Sequence, residues 1–446
     1  MSLPDLIQIV PLEKPVHAEI TVPGSKSITN RALILAALAE GEVTLQGALW
    51  SEDTQIMVEC LQELGFMVNV ARDPNEFCNR TITVYGKGGV VPPGGTEQQP
   101  LELFVGNAGT AARFLSAFVC LGKGVYRLHG VPRMHERPQA ALFIALRKLG
   151  YRVESENGND KVPVKICSSR HESAQTSKSE ISQSRLTSAA TVSIEESSQF
   201  ASALLLCAET GNWEIKITGE NAEESPYVAM TTELIKVFPN QGGTFQIEPD
   251  ASSGSYFWAA GISTGLEENV VNSGDVSQFL RAAFQWSVSV QNWPISDWQI
   301  DEEFPLEMMN LVSTAEGFGL PWELKMKVEH GADWREKLNT DESQFAISRK
   351  DRLGDSIMTL IVVAAFNTRP VPFTDLGRLR VQECERVVAL RTELTKCGAK
   401  VIEVGDTLTV YPSKLHGAEI ETYNDHRMAM CFSILGLKVP GIKIKN

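Results

Sequence analysis

Residues 57–68 read MVECLQELGFMV, residues 142–153 read LFIALRKLGYRV and residues 390–401 read LRTELTKCGAKV. In each, apolar side chains recur at i, i+4 and i+7 (Met57, Leu61, Leu64; Leu142, Leu146, Leu149; Leu390, Leu394, Cys397), and a glycine follows at once (Gly65, Gly150, Gly398). That spacing lays an apolar stripe along a helix, and the glycine ends the helix as a C-cap. A short strand-like run comes next: Phe66-Met67-Val68, Tyr151-Arg152-Val153 and Ala399-Lys400-Val401. One helix-then-strand unit therefore occurs at least three times, too widely spaced for a solenoid. It predicts a modular α/β fold in which helices pack against mixed sheets.

With 446 residues, 43% of them hydrophobic, the chain predicts two domains of about 200 residues each. No run of 18 apolar residues occurs, and the start MSLPDLIQIV lacks the charged and apolar regions of a secretory signal. A cytoplasmic protein that spans no membrane is the expectation. The eight cysteines stand singly without a CxxC pair, which argues against zinc, iron–sulfur or a disulfide framework. Lys plus Arg number 41 against 55 Asp plus Glu, a net charge of −14, and this balance excludes the usual nucleic-acid binder. In so acidic a chain, cations that bind an anionic substrate must be gathered locally. The Ser-, Gln- and Thr-rich stretch 168–198 and the Gly-, Pro- and Gln-rich stretch 88–100 read as mobile surface insertions. Residues 279–345 hold five of the eight tryptophans (286, 293, 298, 322, 334) and read as a folded elaboration without an assigned role.

Several short motifs bear chemistry. Pro23-Gly24-Ser25-Lys26-Ser27-Ile28-Thr29-Asn30-Arg31 opens an apolar helix, placing free N–H groups beside two cations, though without the spacing of a Walker A loop. Gly106-Asn107-Ala108-Gly109 opens a second helix and admits close backbone approach. Pro132-Arg133-Met134-His135-Glu136-Arg137-Pro138 sets two guanidinium forks in a proline-bounded loop. Ser197-Ser198-Gln199 offers hydroxyls and an amide at a third helix start. Arg380-Val381-Gln382-Glu383-Cys384-Glu385-Arg386 puts Glu383 and Arg386 three apart on one helical face, a proton donor beside a carboxylate clamp. Taken singly, each is equally compatible with ordinary helix caps, loop charges or a surface ion pair.

Together and in this order, PGSKSxTNRA, GNAGTAxR, PRMxERP, SSQF, DASSxSY (250–256), the Asp355 segment, RVxExxR and YNDHRMAM (423–430) resemble the enolpyruvyl transferase family in its shikimate-pathway branch. The resemblance implies an α/β fold of two similar domains, each of three βαβαββ units in an inside-out α/β barrel. One domain would be 23–247 and the other 1–22 plus 248–446, with the active site in the cleft between them. It implies transfer of the enolpyruvyl group of phosphoenolpyruvate to the 5-hydroxyl of 3-phosphoshikimate by a monomer that needs no metal or organic cofactor. Ser27, Arg31, Ser197, Ser198, Gln199 and Gln382 match positions that hold 3-phosphoshikimate. Lys26, Asn107, Gly109, Arg133, Arg386 and Arg427 match positions that hold phosphoenolpyruvate. Asp355 and Glu383 match the acid/base carboxylates, Lys26 bridges both substrates as a third catalytic group, and Ser225 and His426 complete the binding set.

The chain departs from the family pattern at three places. Gln382 stands where most members have lysine, which exchanges an ion pair to a phosphate for a neutral hydrogen bond. Ser225 precedes Pro226-Tyr227 instead of a Lys-Pro-Tyr. The sequence ends at Gly441-Ile442-Lys443-Ile444-Lys445-Asn446, where the family continues through a lysine-bearing segment and a helix. Weak donor binding is the expectation there, unless Lys443, Lys445 or the Trp-rich stretch substitutes. Two rival readings are the branch that acts on UDP-N-acetylglucosamine, which uses a reactive cysteine in a loop where residues 130–140 here have none, and a truncated non-catalytic binding protein.

Overall fold

The computed structural model describes residues 4–14, 16–73, 77–167, 188–219, 225–265, 288–316, 346–367 and 369–445. Most of the Ser-rich stretch (168–187) and Trp286, Trp322 and Trp334 lie outside the described residues. The chain folds as two compact units, Met1–Val22 with Ala251–Asn446, and Pro23–Asp250. No described helix is long and apolar enough to cross a membrane.

The first strands, β1 (Leu6–Gln8) and β2 (Ala18–Ile20), belong to the discontinuous unit. The continuous unit then runs α1 (Lys26–Leu38), β3 (Glu40–Leu49), α2 (Glu52–Glu63), β4 (Met67–Arg72), β5 (Asn79–Lys87), β6 (Leu101–Phe104), α3 (Gly109–Phe118), β7 (Val125–His129) and α4 (Ala140–Lys148). It goes on through β8 (Arg152–Ser155), β9 (Val164–Cys167), β10 (Ser188–Ser193), α5 (Ser198–Gly211), β11 (Trp213–Thr218), α6 (Ser225–Val237) and β12 (Gly243–Gln246). Its described strands form sheets ordered β12-β3-β5-β4, β6-β7-β9-β8 and β10-β11.

The other unit resumes with α7 (Ala251–Gly265), β13 (Val288–Val290), α8 (Phe304–Glu316), β14 (Ile347–Ser348), α9 (Ile357–Val363) and β15 (Val371–Thr374). It ends with α10 (Arg386–Lys396), β16 (Lys400–Val404), β17 (Thr407–Tyr411), β18 (Glu419–Glu421), α11 (His426–Gly436) and β19 (Lys443–Lys445). Its sheets are β14-β15-β17-β16, β2-β13 and β1-β19-β18. The four-stranded sheets of both units repeat one pattern, a parallel pair followed by two antiparallel pairs. β6-α3-β7-α4-β8-β9 and β14-α9-β15-α10-β16-β17 are each a continuous βαβαββ unit, and in the remaining sheet the parallel strand is supplied late, by β12.

The three motifs that opened the sequence reading are α2-β4, α4-β8 and α10-β16. At each helix end the glycine N–H donates to the carbonyl three residues back (Gln62, Arg147, Thr395), at 2.8, 3.0 and 3.0 Å. The residue after the glycine donates to the carbonyl five back (Leu61, Leu146, Leu394), at 3.0, 3.2 and 3.0 Å. These are Schellman caps, and they require a left-handed residue: Gly65, Gly150 and Gly398 have φ of 87°, 94° and 89°. A Cβ on Gly65 would meet only Pro92 at an ordinary 3.8 Å, so its cost is conformational. Gly65→Ala should lower stability by about 1–2 kcal/mol with little steric contribution, read from urea unfolding; an unchanged midpoint would refute that account of the repeat.

The Gly- and Pro-rich stretch 88–100 is not a loose insertion. Gly95 exchanges both backbone hydrogen bonds with Val125 at 3.0 Å, Gly94 N donates to Lys123 O at 2.6 Å, and Tyr126 Oη donates to Pro92 O at 2.7 Å. Its glycines admit this approach: a Cβ on Gly94 would lie 2.8 Å from the Val125 carbonyl. The described part of the Trp-rich stretch is folded, as the sequence suggested. Trp293 packs edge-on against Trp258 of α7, with ring centroids 5.6 Å apart, and its Nε1 donates to Glu302 O at 2.9 Å.

Candidate active site

In the unit Pro23–Asp250, three helix N-termini carry the sequence-predicted residues. α1 begins at Lys26 after Ser25, which makes no side-chain cap, so the first-turn N–H groups are not capped by that hydroxyl. Lys26 is 47% exposed and its Nζ lies 3.4 Å from Asp53 Oδ2. Ser27 follows it in the same turn.

Arg31, one turn further, points elsewhere. It is buried, with Nε donating to Thr231 Oγ1 at 2.7 Å, Nη1 to Ser27 O at 2.8 Å and Nη2 to Ser202 Oγ at 3.0 Å. Its guanidinium lies over the Phe114 ring at 5.3 Å. Arg31 thus knits α1 to α3, α5 and α6, whereas the motif reading set it beside Lys26 at the helix start.

The second start is α3, with Asn107 exposed and Gly109 buried in the first turn. Arg137 Nη1 donates to Asn107 O at 3.0 Å, and a Cβ on Gly109 would lie 2.7 Å from Arg137 Cζ. A side chain at 109 would have to displace that guanidinium. Arg133 lies in the turn Pro132–Glu136, pairs with Glu136 and is 66% exposed.

At the third start Ser197 caps α5, its hydroxyl accepting from Gln199 N at 3.3 Å, and both Ser197 and Ser198 are buried. Gln199 Oε1 accepts from Arg113 Nη1 at 2.5 Å. Arg113, quoted in a motif without a role, therefore fixes which way the Gln199 amide points and leaves its NH2 as the donor for a ligand. Ser225 opens α6, and its side chain lies outside the described residues.

In the other unit the charges converge on two carboxylates. Asp355, 18% exposed and just ahead of α9, accepts from Arg349 Nη2 at 3.1 Å and Arg386 Nη1 at 3.3 Å and forms an ion pair with Arg427 Nε at 3.2 Å. Gln382 Nε2 adds a fourth contact at 3.2 Å. Burial alone would push the Asp355 carboxyl up, but Arg427, Arg386 and Arg349 outweigh it and hold the group far below its ordinary value.

Arg386 and Asp425 are both 0% exposed. Arg386 Nε donates to Asp425 Oδ2 at 2.7 Å and Nη2 to Oδ1 at 3.3 Å. Asp425 also caps α11, accepting from Arg427 N at 2.9 Å, so burial is again outweighed and its carboxyl is held low, chiefly by Arg386. His426, the first residue of α11, is exposed. Cys384 Sγ donates to Asp425 Oδ2 at 3.5 Å, and burial together with that negative charge pushes its thiol up to about 12, disfavouring the thiolate.

Glu383 Oε2 pairs with Arg386 Nη2 at 2.7 Å and is 52% exposed. The pair does not lie along a helical face as the spacing suggested. α10 begins only at Arg386, because Glu385 is its N-cap and accepts from Val388 N at 2.5 Å. Glu383 hangs on the loop before the cap, and Arg386 reaches back to it. Gln382 fills its unusual position with a bridge, its Oε1 accepting from Arg386 while its Nε2 donates to Asp355. A lysine there could make no such acceptor contact.

Arg349, Asp425 and Tyr256 were not singled out by sequence, although Asp425 and Tyr256 sit inside quoted motifs. Arg427 Nη1 donates to Tyr256 Oη at 3.5 Å. Lys443 and Lys445, considered as substitute cations, pair across β18 and β19 with Glu419 at 3.2 Å and Glu421 at 3.1 Å.

Residues 10–446 match the model of a family described as EPSP synthase (3-phosphoshikimate 1-carboxyvinyltransferase). A 3-phosphoshikimate 1-carboxyvinyltransferase of Trichormus variabilis is 34% identical, the alignment covering 99% of this chain and 95% of that one. The protein of the same name from a Sulfurovum species is 35% identical over 97% and 92% of the two chains. Among solved structures, an EPSP synthase from Acinetobacter baumannii superposes with a TM-score of 0.66 at 19% identity, covering 98% of this chain and 93% of that one. The enolpyruvyl transferase NikO from Streptomyces tendae gives 0.58 at 14% identity, covering 99% and 93%. These structural likenesses establish the two-domain inside-out α/β fold.

Proposed function

Because the chain belongs to the EPSP synthase (3-phosphoshikimate 1-carboxyvinyltransferase) family, we propose that the residues of its two units serve one reaction, the transfer of the enolpyruvyl group of phosphoenolpyruvate to the 5-hydroxyl of 3-phosphoshikimate with release of phosphate. The observation that carries the reading is the cluster of Arg349, Arg386 and Arg427 around Asp355. Three guanidinia on one carboxylate are a site for a ligand that bears both phosphate and carboxylate.

The chemistry needs a base for the attacking hydroxyl, an acid for the enol methylene and cations around a tetrahedral adduct. Asp355 and Glu383 supply the proton transfers. Lys26, Asn107, Gly109, Arg133, Arg386 and Arg427 hold phosphoenolpyruvate, with Lys26 also facing the acceptor. Ser27, Ser197, Ser198, Gln199 and Gln382 hold 3-phosphoshikimate, with Ser225 and His426 completing the set. Arg31 supports that group through α1, α5 and α6, consistent with its buried contacts.

Glu383→Gln tests the acid/base assignment. The variant should lose roughly 10²-fold in kcat with little change in the KM of either substrate, measured by phosphate release with both substrates present. Near-normal turnover would remove Glu383 from the chemistry.

A further inference from the structure

Asp301 lies in the Trp-rich elaboration, is buried, and stands outside the short motifs described above. Its Oδ1 accepts from Gly354 N at 2.8 Å, Ser356 N at 3.2 Å and Ser356 Oγ at 2.5 Å. Its Oδ2 accepts from Ser252 Oγ in the first turn of α7. Two residues earlier, Gln299 Oε1 accepts from Ala251 N at 3.1 Å.

The two backbone donors flank Asp355 on either side. One buried carboxylate oxygen therefore grips the peptide N–H before and the N–H after the proposed acid/base residue. The same side chain ties that loop to the start of α7. Gly354 is part of the fit, because a Cβ there would lie 3.2 Å from both Asp301 oxygens.

We propose that Asp301 is a positioning residue for the reaction, fixing the Asp355 carboxylate among Arg349, Arg386 and Arg427. This rests on the reading of Asp355 as an acid/base group. A carboxylate is suited to the task, since it is acceptor-only and can take all four donors at once, whereas an amide either reverses the Ser252 hydroxyl into an acceptor or turns its NH2 toward the three donors on Oδ1. A small displacement of Asp355 would leave the substrate cations in place but misalign the proton transfer. The expected signature is a loss in kcat separated from substrate binding.

The test compares Asp301→Asn with Glu393→Gln. Glu393 is another buried carboxylate of the same unit, held by Lys396 Nζ at 2.8 Å, Tyr423 Oη at 2.7 Å and Glu421 N at 3.1 Å, away from the Asp355 loop. At a temperature well below both melting transitions, Asp301→Asn should lower kcat by about tenfold or more, with the KM of each substrate within about threefold and Glu393→Gln near wild type. If kcat falls no more than in Glu393→Gln, or both KM values rise as kcat falls, the proposal is overturned. Should Asp301→Asn fail to fold, Ser356→Ala removes one donor and should lower kcat by about two- to threefold without a matching loss of thermal stability; an unchanged kcat there overturns the proposal. Asp355→Asn separates the premise: full turnover in that variant refutes the acid/base reading whatever Asp301 does.

Discussion

Replacing Asp355 by asparagine should lower kcat by about 10³-fold while the KM and Kd for phosphoenolpyruvate stay the same or fall. The two effects have one cause. In the free protein Asp355 occupies Arg349, Arg386 and Arg427 at 3.1–3.3 Å, so it competes with an anionic donor for the same guanidinia. Those cations also hold its carboxyl far below the ordinary value of 3.8, which makes it a weak base. On the proposed reading, a bound phosphoenolpyruvate would draw Arg386 and Arg427 to itself, and the Asp355 carboxyl would then move up toward the range in which it can accept a proton. Asparagine keeps the shape and removes both the competition and the base. Titration of the variant with phosphoenolpyruvate, beside steady-state turnover, measures the two consequences separately. A rise in Kd matching the fall in kcat would mean that Asp355 organises the cations instead of competing for them.

Much of the fold was legible because the repeat shows itself on helices with one wet face. In α2, α4 and α10 the stripe residues Met57, Leu61, Leu142, Leu146, Leu390 and Leu394 are all buried, while Glu59, Gln62 and Glu63, Arg147 and Lys148, and Thr395 and Lys396 are exposed. α3 and α9 gave no such signal, because every residue from Gly109 to Phe118 and from Ile357 to Val363 is buried and no polar face breaks the pattern. The site was legible only as helix starts and clustered charges. The identity of each partner was not, since Arg31 and Arg386 look alike in sequence, yet one knits hydroxyl-bearing helices together and the other meets carboxylates. Asp301 and Arg349 lie 54 and six residues before Asp355, and only the packing of α7, α9 and the segment between brings them to it.

Replacing Arg386 by methionine should destabilise the protein by about 3–5 kcal/mol at pH 7, because the fully buried Asp425 is then left without its counter-charge. The pH dependence gives the prediction its sign. In the wild type the Asp425 carboxyl is held below its ordinary 3.8. Its contribution to stability is therefore present above that value and lost as pH falls through the lower, folded-state value. Without Arg386, burial, the largest influence on this carboxyl, is opposed chiefly by the Arg427 N–H and the nearby His426 and pushes Asp425 above 3.8, reversing the sign: the folded state of the variant takes up a proton more readily than the unfolded one. The stability gap between variant and wild type should then shrink as the pH is lowered from 7 toward 4. Asp425→Asn in the Arg386→Met background should recover part of the loss at pH 7, since it removes the orphaned charge. Arg133→Lys is the contrast: Arg133 is 66% exposed, so its stability should stay within about 0.5 kcal/mol of wild type, with any effect confined to the KM for phosphoenolpyruvate. Urea unfolding of the variants at the two pH values decides the matter; a gap that is constant with pH would show that Arg386 stabilises the fold by packing and not by neutralising Asp425.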